Sequence, residues 1–296
     1  MSKKCGFVAI VGKPNVGKSS LVNSMVGAKV SITGPKPQTT RNKILGIKTE
    51  EDYQLVFVDT PGTIKPQNAL GEYMQKSITT ATIGVDAIVV VIDATKISDS
   101  DYKLIEKYKK EGVPVFVCIN KTDISKFDKV YPKLAKLNEL DGVEFVSTSA
   151  KTGKGVDELV SKLVEILPES EFFMYDKDQI TDKSVKFLVS EIVREKALLF
   201  LQEEVPHGIA VDIPKFEEKK TIININAEIV ATKQNHKQII IGKQGEMLKK
   251  IGTSARQEIE QLVDKKVNLQ IFVKIRENWQ DNTLSLRDFG YDKKDV

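Results

Sequence analysis

Residues 12–19 combine two glycines, a lysine and a serine at the spacing that proteins use to hold phosphate groups. The run GKPNVGKS fits the pattern G-x-x-x-x-G-K-[ST]. Gly12 and Gly17 let the backbone turn so that successive N–H groups point at phosphate oxygens. Lys18 can reach the β- and γ-phosphates of a nucleotide, and the Ser19 hydroxyl can bind Mg²⁺. Because an apolar run precedes this string and a helix-forming run follows it, we predict a phosphate-binding loop rather than a structural glycine turn.

Two further segments have the residue types that meet Mg²⁺ and a γ-phosphate. Asp59-Thr60-Pro61-Gly62 follows an apolar run, so its aspartate can hold Mg²⁺ through water and the Gly62 N–H can meet the γ-phosphate. A threonine of the pair Thr39-Thr40 can place its hydroxyl on Mg²⁺ and sense the nucleotide state. We predict Thr40 for this role, with Thr39 as the alternative. Each segment alone is also compatible with an ordinary turn. The predicted Mg²⁺ ligands are Ser19, Thr40 and Asp59.

The segment Asn120-Lys121-Thr122-Asp123 has the residue types that select guanine over adenine. The Asp123 carboxylate can accept hydrogen bonds from both N1–H and the N2 amine of guanine, and adenine offers neither donor there. Since a carboxylate left without donors is costly, such a site rejects adenine. Asn120 can brace the loop, and the stem of Lys121 can cover one face of the base.

A last segment follows the next predicted strand and can complete the base pocket. Its residues are Thr148-Ser149-Ala150-Lys151, and the N–H of Ala150 can donate to guanine O6. The residues predicted to contact the nucleotide are Gly12, Lys13, Pro14, Asn15, Val16, Gly17, Lys18, Ser19, Ser20, Asp59, Gly62, Asn120, Lys121, Asp123, Ser149, Ala150 and Lys151.

These five segments, in this order, resemble the translation-factor-related GTPase superfamily. Ras-like members have a glutamine after Asp-x-x-Gly to orient water, where this chain has Thr63. The role of the Thr63 hydroxyl in positioning water stays open. In related potassium-activated GTPases an asparagine at the place of Asn15 binds a monovalent cation that stabilises charge between the β- and γ-phosphates. The resemblance thus implies a potassium ion at Asn15. It also implies a catalytic set of Asn15, Lys18, Thr40, Gly62 and Thr63.

Alternating strand and helix signals in residues 5–170 predict an α/β domain with a mostly parallel sheet and helices on both faces. Ligands of such sheets bind at the carboxyl ends of the strands, where the phosphate and guanine segments lie. The predicted strands are residues 6–11, 44–48, 54–59, 87–93, 113–120 and 144–147. The predicted helices lie near residues 19–26, 69–83, 98–111, 128–140 and 155–166.

Composition indicates a globular chain with real cores and argues against several other classes. Hydrophobic residues make up 41% and charged residues 29% of the 296 residues, and the formal net charge is +4. Apolar runs are far too short for a membrane span, and the N-terminus is better read as a strand than as a signal peptide. Cys5 and Cys118 both fall in predicted buried strands, so we expect a reducing cytoplasm and no disulfide framework.

Residues 239–251, IIIGKQGEMLKKI, fit the glycine motif of a KH domain. Two glycines three apart bring the backbone close to a nucleic-acid backbone, and basic side chains add charge. From residue 184 on, the order helix, strand, strand, helices, strand predicts an α+β domain of the type II KH fold. A glycine pair without a ligand, on a solvated helix face, is the alternative. The predicted RNA-binding residues are Gly242, Lys243, Gln244, Gly245, Lys249 and Lys250.

A single P-loop GTPase domain followed by a KH domain resembles the family of Era-like bacterial GTPases. The likeness covers nearly the whole chain and includes PQTTRN at 37–42, LGEYM at 70–74, DQITD at 178–182 and EEVPH at 203–207. We expect a GTPase domain over 1–170, a linker over 171–183, a type II KH domain over 184–280 and a tail over 281–296. We also expect that linker to carry the nucleotide state to the KH domain.

The family resemblance implies a GTP-binding, GTP-hydrolysing assembly factor of the small ribosomal subunit that binds small-subunit ribosomal RNA near its 3′ end. GTP or GDP, Mg²⁺ and K⁺ are the expected cofactors. The resemblance also implies peripheral association with the inner membrane surface, and we expect a cytoplasmic monomer. An RNA-binding module with a regulatory nucleotide site and negligible turnover is the alternative. The single phosphate loop disfavours a double-GTPase ribosome factor, and the lack of a lipidation motif disfavours a membrane-trafficking GTPase.

Overall fold

The chain divides into two compact units. The computed structural model describes residues 2–34, 36–63, 65–125, 137 and 140–292. Unit 1 consists of Met1–Thr33, Thr40–Lys65 and Met74–Asp182. Unit 2 consists of Gly34–Thr39, Pro66–Tyr73 and Lys183–Val296. Two short segments of the N-terminal half therefore cluster with the C-terminal residues.

Unit 1 contains one sheet to which seven of the described strands belong. These strands are β1 (Lys3–Gly12), β2 (Ile44–Thr49), β3 (Tyr53–Asp59), β4 (Ala87–Asp93), β5 (Val115–Asn120), β6 (Glu144–Ser147) and β7 (Glu169–Ser170). Their order is β2-β3-β1-β4-β5-β6, and β7 pairs with β1. The pairs β1–β3, β1–β4, β4–β5 and β5–β6 are parallel, whereas β2 and β7 run antiparallel to their neighbours.

Helices cover both faces of this sheet, which explains why the central strands contain nearly continuous apolar runs. On β1, Val8 and Ile10 belong to one apolar cluster, and Ala9 and Val11 belong to another. The first cluster includes residues of α1 (Lys18–Val26) and α4 (Val156–Ile166). The second includes residues of α3 (Asp99–Tyr108). The predicted α/β architecture is confirmed, and the predicted helix near 128–140 lies outside the described residues apart from positions 137 and 140.

The segment predicted as a linker, residues 171–183, is hydrogen-bonded to the sheet of unit 1 as far as Asp182. The Gln54 side chain accepts from the N–H groups of Met174 and Tyr175 and donates to the Tyr175 carbonyl. Further along, Ile180 and Asp182 bond to the backbone of β2. This segment is thus an edge of unit 1 rather than a free connection.

Unit 2 has the order of elements that the sequence predicts for a type II KH domain. Its described elements are α5 (Val185–Phe200), β8 (Ala210–Glu218), β9 (Ile222–Ala231), α6 (Gln234–Ile241), α7 (Glu246–Val263), β10 (Lys266–Ile275) and α8 (Thr283–Asp288). The sheet order is β10-β9-β8, with β8 antiparallel and β10 parallel to β9. The helix α2 (Ala69–Thr80) begins among residues of unit 2.

The core of unit 2 lies between its helices and one face of this sheet. Ile251, Ala255 and Ile259 are buried on α7 at a spacing of four residues, as a helix stripe requires. Trp279 is fully buried, donates through Nε1 to the Gly208 carbonyl at 3.0 Å and packs on Tyr291. Trp279 therefore anchors the segment after β10 within unit 2. None of the helices within the described ranges is long and apolar enough to cross a membrane.

Candidate functional site

The phosphate loop between β1 and α1 can form only because its two glycines lack side chains. Gly17 has φ +97°, and a Cβ there would lie 2.3 Å from Nδ2 of Asn120. Gly12 is equally confined, since a Cβ would lie 2.4 Å from the Val91 carbonyl oxygen. The glycines therefore serve both the turn and close packing against the ends of neighbouring strands.

Lys18, the first residue of α1, is held inside this loop. Its Nζ donates to the carbonyls of Lys13 at 3.0 Å and Gly12 at 3.2 Å. Burial lowers the pKa of Lys18 to about 8, while the nearby Asp59 carboxylate opposes that shift. A buried cation with few partners is a strong anion site, because bound phosphate restores the charge pairing that burial removed.

The three predicted Mg²⁺ ligands lie on different elements of unit 1, and the structure links two of them directly. The Ser19 and Thr40 hydroxyl oxygens are 2.7 Å apart. Asp59 is fully buried at the end of β3, and neither carboxylate oxygen has a hydrogen-bond partner among the described residues. Burial raises the pKa of Asp59, although Ser19, Lys18 and Ser31 lie near enough to oppose that shift.

This arrangement fits a magnesium ion. The donors are a carboxylate and two hydroxyls, which are the oxygen ligands that Mg²⁺ accepts, and an unsatisfied buried carboxylate is stabilised by a cation. Thr39, the alternative to Thr40, lies in unit 2, where its hydroxyl donates to the Lys36 carbonyl at 2.7 Å. The geometry therefore favours Thr40.

The Asp59–Gly62 segment returns to the phosphate loop. A Cβ on Gly62 would lie 2.7 Å from backbone atoms of Pro14, so this position requires glycine. The N–H of Thr63 donates to the Gly12 carbonyl at 3.3 Å, and the Thr63 hydroxyl lies 3.5 Å from the same oxygen. Thr63 thus stands at the phosphate loop, and its part in orienting water stays a prediction.

Asn120 joins the phosphate loop to both loops predicted to bind guanine. It is 1% exposed, and its Nδ2 donates to the Val16 carbonyl at 2.9 Å. Its Oδ1 accepts from the Thr148 hydroxyl at 3.2 Å and from the Ala150 N–H at 3.0 Å. Asn120 therefore braces the loop, as predicted. The Ala150 N–H, which the sequence predicts to donate to guanine O6, donates to Asn120 Oδ1 in this structure.

The residues predicted to face the base belong to the two loops that Asn120 connects. The exposed Asp123 carboxylate accepts from the Ser149 hydroxyl at 2.8 Å, which fixes its orientation. Lys151 is exposed next to this pair, and Ser20 is half-buried on α1. Lys121 has φ +67°, and its Nζ donates to the carbonyl of Asn15, which is itself in the left-handed region at φ +63°.

Sequence reasoning missed two carboxylates that hold lysines of this site. Asp93, at the end of β4, pairs with Lys121 at 2.7 Å. Asp101, on the first turn of α3, pairs with Lys13 at 2.8 Å. Asp93 belongs to no motif with a fixed spacing, and Asp101 belongs only to the capping-box spacing Ser98-x-x-Asp101, which marks a helix start and not a lysine partner. The one sequence signal was the position of Asp93 at the carboxyl end of a predicted strand.

The glycine motif of unit 2 forms a tight turn between α6 and α7. Gly242 has φ +74°, and a Cβ there would lie 2.7 Å from the Cβ of Met247. Gly245 has φ +82° with open space around it. Lys243, Gln244, Lys249 and Lys250 are all exposed. The six predicted RNA-binding residues thus lie together on the turn and the first turns of α7.

Comparisons with known proteins support both the predicted GTPase domain and the predicted KH domain. The family described as 50S ribosome-binding GTPase matches residues 7–121, and the KH domain family matches residues 204–280. The chain is 47% identical to the GTPase Era of Clostridium kluyveri over 291 residues, which covers 97% of this chain and 99% of the relative. It is 44% identical to the GTPase Era of Caldicellulosiruptor saccharolyticus over 301 residues, which covers 100% of both chains.

Solved structures give the same result. A crystal structure of Era in complex with MgGDPNP and nucleotides 1506-1542 of 16S ribosomal RNA matches with a TM-score of 0.92 at 40% identity, covering 98% of this chain and 99% of that one. A variant of Aquifex aeolicus Era bound to GDP and AlF₄⁻ matches with the same TM-score, identity and coverage. Together with the phosphate loop, the guanine loops and the glycine turn, these likenesses establish that the chain belongs to the Era family of GTPases.

Proposed function

We propose that this chain hydrolyses GTP with Mg²⁺ and acts as an assembly factor of the small ribosomal subunit, binding the 3′ end of its ribosomal RNA through unit 2. The observation that carries the proposal is the buried Asn120 network, which joins the phosphate loop to the loops predicted to bind guanine. Support for the RNA comes from the exposed, basic G-x-x-G turn and from the similar Era solved with MgGDPNP and 16S ribosomal RNA.

Multiple-turnover phosphate release from GTP tests the enzymatic part, and titration with an RNA of the 3′-terminal sequence tests the binding part. We expect turnover that requires Mg²⁺ and saturable RNA binding. A chain that binds GTP and RNA but releases no phosphate over several turnovers, with or without RNA, is instead an RNA-binding module with a regulatory nucleotide site.

We further propose that K⁺ binds at Asn15 and raises the rate of hydrolysis. The support is the resemblance to potassium-activated GTPases together with the strained backbone of Asn15, which is fixed through its carbonyl by Lys121. A cation there stabilises charge that develops between the β- and γ-phosphates. Turnover is expected to be faster in KCl than in NaCl at equal ionic strength, and Asn15→Ala should remove the difference. Equal wild-type rates in the two salts would contradict this proposal.

We infer that the nucleotide state reaches unit 2 through Gly34–Thr39, and not through 171–183 as the sequence suggests. The support is that two consecutive residues belong to different units. Thr40 contacts Ser19 in unit 1, whereas the Thr39 carbonyl accepts from the guanidinium of Arg194 in unit 2. Arg194 is buried and forms two hydrogen bonds with Glu191, at 2.7 and 2.6 Å, so it is a rigid anchor. A shift of Thr40 toward Mg²⁺ must pass through one peptide bond to Thr39.

The ratio of RNA affinities in the GTP and GDP states tests this route. Linkage requires that GTP and RNA change each other's affinity by the same factor. Arg194→Met should move the ratio toward one. Lys196→Met is the matched control on the same helix α5. It removes the pairs of Lys196 with Glu195 and with Glu258 of α7 and should keep the ratio. A ratio of one in the wild-type chain would describe two independent activities.

The remaining proposals rest on the family resemblance. We propose a cytoplasmic monomer with a fraction bound peripherally to the inner membrane surface. Phe172 and Met174 of unit 1 are exposed apolar side chains that can enter a lipid interface. Flotation with liposomes of anionic lipid tests this, and a double change of both residues to Glu should abolish flotation if they provide the contact. Sedimentation equilibrium tests the monomer.

A further inference from the structure

The residues between β4 and the first turn of α3, 93–101, supply two carboxylates to the nucleotide site, and we name this stretch the carboxylate loop. It contains none of the five segments that identify the GTPase superfamily. Asp93 closes β4, where its register partner on β5 is Asn120. The next residue continues the contact, because the N–H of Ala94 donates to the Asn120 carbonyl at 2.9 Å. The loop is therefore fixed to the strand that carries the guanine segment.

Lys121 bridges Asp93 and the phosphate loop. Asp93 Oδ2 accepts from Lys121 Nζ at 2.7 Å, and the same Nζ donates to the Asn15 carbonyl. Its Oδ1 accepts from the N–H of Thr95 at 2.9 Å and from the Thr95 hydroxyl at 2.6 Å. Burial pushes the pKa of Asp93 upward, but the hydrogen bonds from Lys121 and Thr95 outweigh it and leave the pKa below its usual value. The carboxylate is thus charged and held in one orientation.

Asp101 does the same for Lys13 from the other end of the loop. Its Oδ1 lies 2.8 Å from Lys13 Nζ, which also donates to the Ser98 hydroxyl at 2.8 Å. Its Oδ2 accepts from the N–H and hydroxyl of Ser98, which forms the capping box of α3. Asp101 is 2% exposed, so the ion pair is sheltered from solvent on its acidic side.

Both bridges end on residues of the phosphate loop: the Asp93 bridge on the Asn15 carbonyl, and the Asp101 bridge on the side chain of Lys13. The carbonyl of Lys13 accepts from Nζ of Lys18, the buried lysine of the phosphate loop. The carbonyl of Asn15 accepts from Lys121, whose stem is predicted to cover the base. A lysine side chain whose ammonium group is already fixed by hydrogen bonds loses less conformational freedom when a ligand packs on it. Nucleotide binding is therefore tighter and nucleotide release slower.

We propose that Asp93 and Asp101 are positioning residues that set the residence time of bound guanine nucleotide. They act through Lys121 and Lys13 and do not touch the nucleotide themselves. The inference rests on the proposed guanine-nucleotide site and adds to it a regulator of release. Charge-assisted hydrogen bonds of this kind and the ordering of one long side chain predict that loss of either bridge speeds release about tenfold.

The experiment measures dissociation of fluorescent GDP from the full chain by stopped flow. Asp93→Asn keeps an oxygen for Thr95 but turns an amide NH₂ toward Lys121. Asp101→Asn likewise keeps an oxygen for Ser98 but turns an amide NH₂ toward Lys13. Both variants should release GDP about tenfold faster, with kcat at saturating GTP within about twofold of the wild type. Glu144→Gln is the matched control, since it removes an exposed pair with Lys162 at 2.9 Å in the same unit and should leave release unchanged.

A double-mutant cycle separates positioning from general destabilisation. In a Lys121→Met background, Asp93→Asn should have no further effect on GDP release. An equal acceleration in both backgrounds would overturn the proposal, because Asp93 would then act by another route. Release unchanged in both Asp93→Asn and Asp101→Asn would also overturn it. In each case tight GDP binding by the wild-type chain leaves the proposed function standing, whereas a wild-type chain that binds no GDP would contradict that function instead.

Discussion

In unit 1 the side chains that build the nucleotide site are largely buried and bonded to one another, whereas those around the G-x-x-G turn of unit 2 face solvent. The Asn120 side chain is 1% exposed and bonds to three residues, which belong to two different segments. Lys243 and Gln244 are exposed, and the turn itself is defined by the backbone angles of Gly242 and Gly245. The first site is therefore organised before its ligand arrives, and the second offers charge and an accessible backbone.

The difference predicts how each site responds to change. A buried polar network leaves unsatisfied partners when one member is removed, so single substitutions are costly and depend little on salt. An exposed basic surface binds polyanions mainly by releasing counterions, so single substitutions are mild and their effect shows in the salt dependence. Substitutions in the two units should consequently differ in size and in their response to ionic strength.

Asn120→Ala should give the largest effect, because it removes the three side-chain bonds by which Asn120 connects the phosphate loop and the guanine loops. The Val16 carbonyl and the Ala150 N–H would lose this partner, and the Thr148 hydroxyl would keep only its contact with the Cys118 thiol. At about 1–3 kcal/mol for each buried group left unpaired, guanine-nucleotide affinity should fall at least a hundredfold. Isothermal titration with GDP measures this. RNA binding of the nucleotide-free chain should be unchanged, and an affinity for GDP within threefold of the wild type would contradict the preorganised site.

Asp123→Asn should change the preferred base rather than remove binding. The asparagine amide can donate to O2 of xanthine, whereas the carboxylate accepts from the N2 amine of guanine, so preference should move from GTP to XTP. The shift should be about a hundredfold or more in relative affinity, since a site built for specific donors rejects an analogue that lacks them. Competition with fluorescent GDP measures it. A variant that still prefers GTP would show that the base lies elsewhere.

The sequence predicts the nucleotide site well because its segments sit at strand ends, and the carboxyl ends of parallel strands meet at one edge. It does not predict the ion pairs of Asp93 and Asp101, since each is made with a lysine far away along the chain, and the capping spacing of Asp101 indicates only the start of a helix. It also misplaces residues 171–183, whose bonds to Gln54 and β2 are edge pairings that leave no hydrophobic period. The segment Gly34–Thr39 joins unit 2 through Arg194, a contact that likewise depends on tertiary structure.

Lys18 makes nucleotide binding depend on pH. Its pKa is about 8 in the free chain, below the ordinary 10.5, so the unfolded chain binds more protons between these values and stability of the free chain rises with pH there. Bound phosphates favour the charged lysine, so GDP affinity should fall by up to about tenfold per pH unit above pH 8. Calorimetry in buffers of different ionisation enthalpy should show uptake of about half a proton or more at pH 8.5. EDTA in the buffer keeps Mg²⁺ binding out of the measurement, and zero uptake at pH 8.5 would contradict the lowered pKa of Lys18.

The lysines near the G-x-x-G turn should give the smallest effects, and these effects should appear in the salt dependence. Lys243, Lys249 and Lys250 are exposed, and no carboxylate within the described ranges pairs with them. Changing any one to Ala should lower the slope of log affinity against log salt concentration by about 0.7 on single-stranded RNA and weaken binding only a fewfold at physiological salt. Lys220→Ala, at an exposed position beyond β8 in the same unit, removes the same charge and should leave the slope unchanged. If all four variants lowered the slope equally, net charge alone would account for binding, and the turn would have no special part in it.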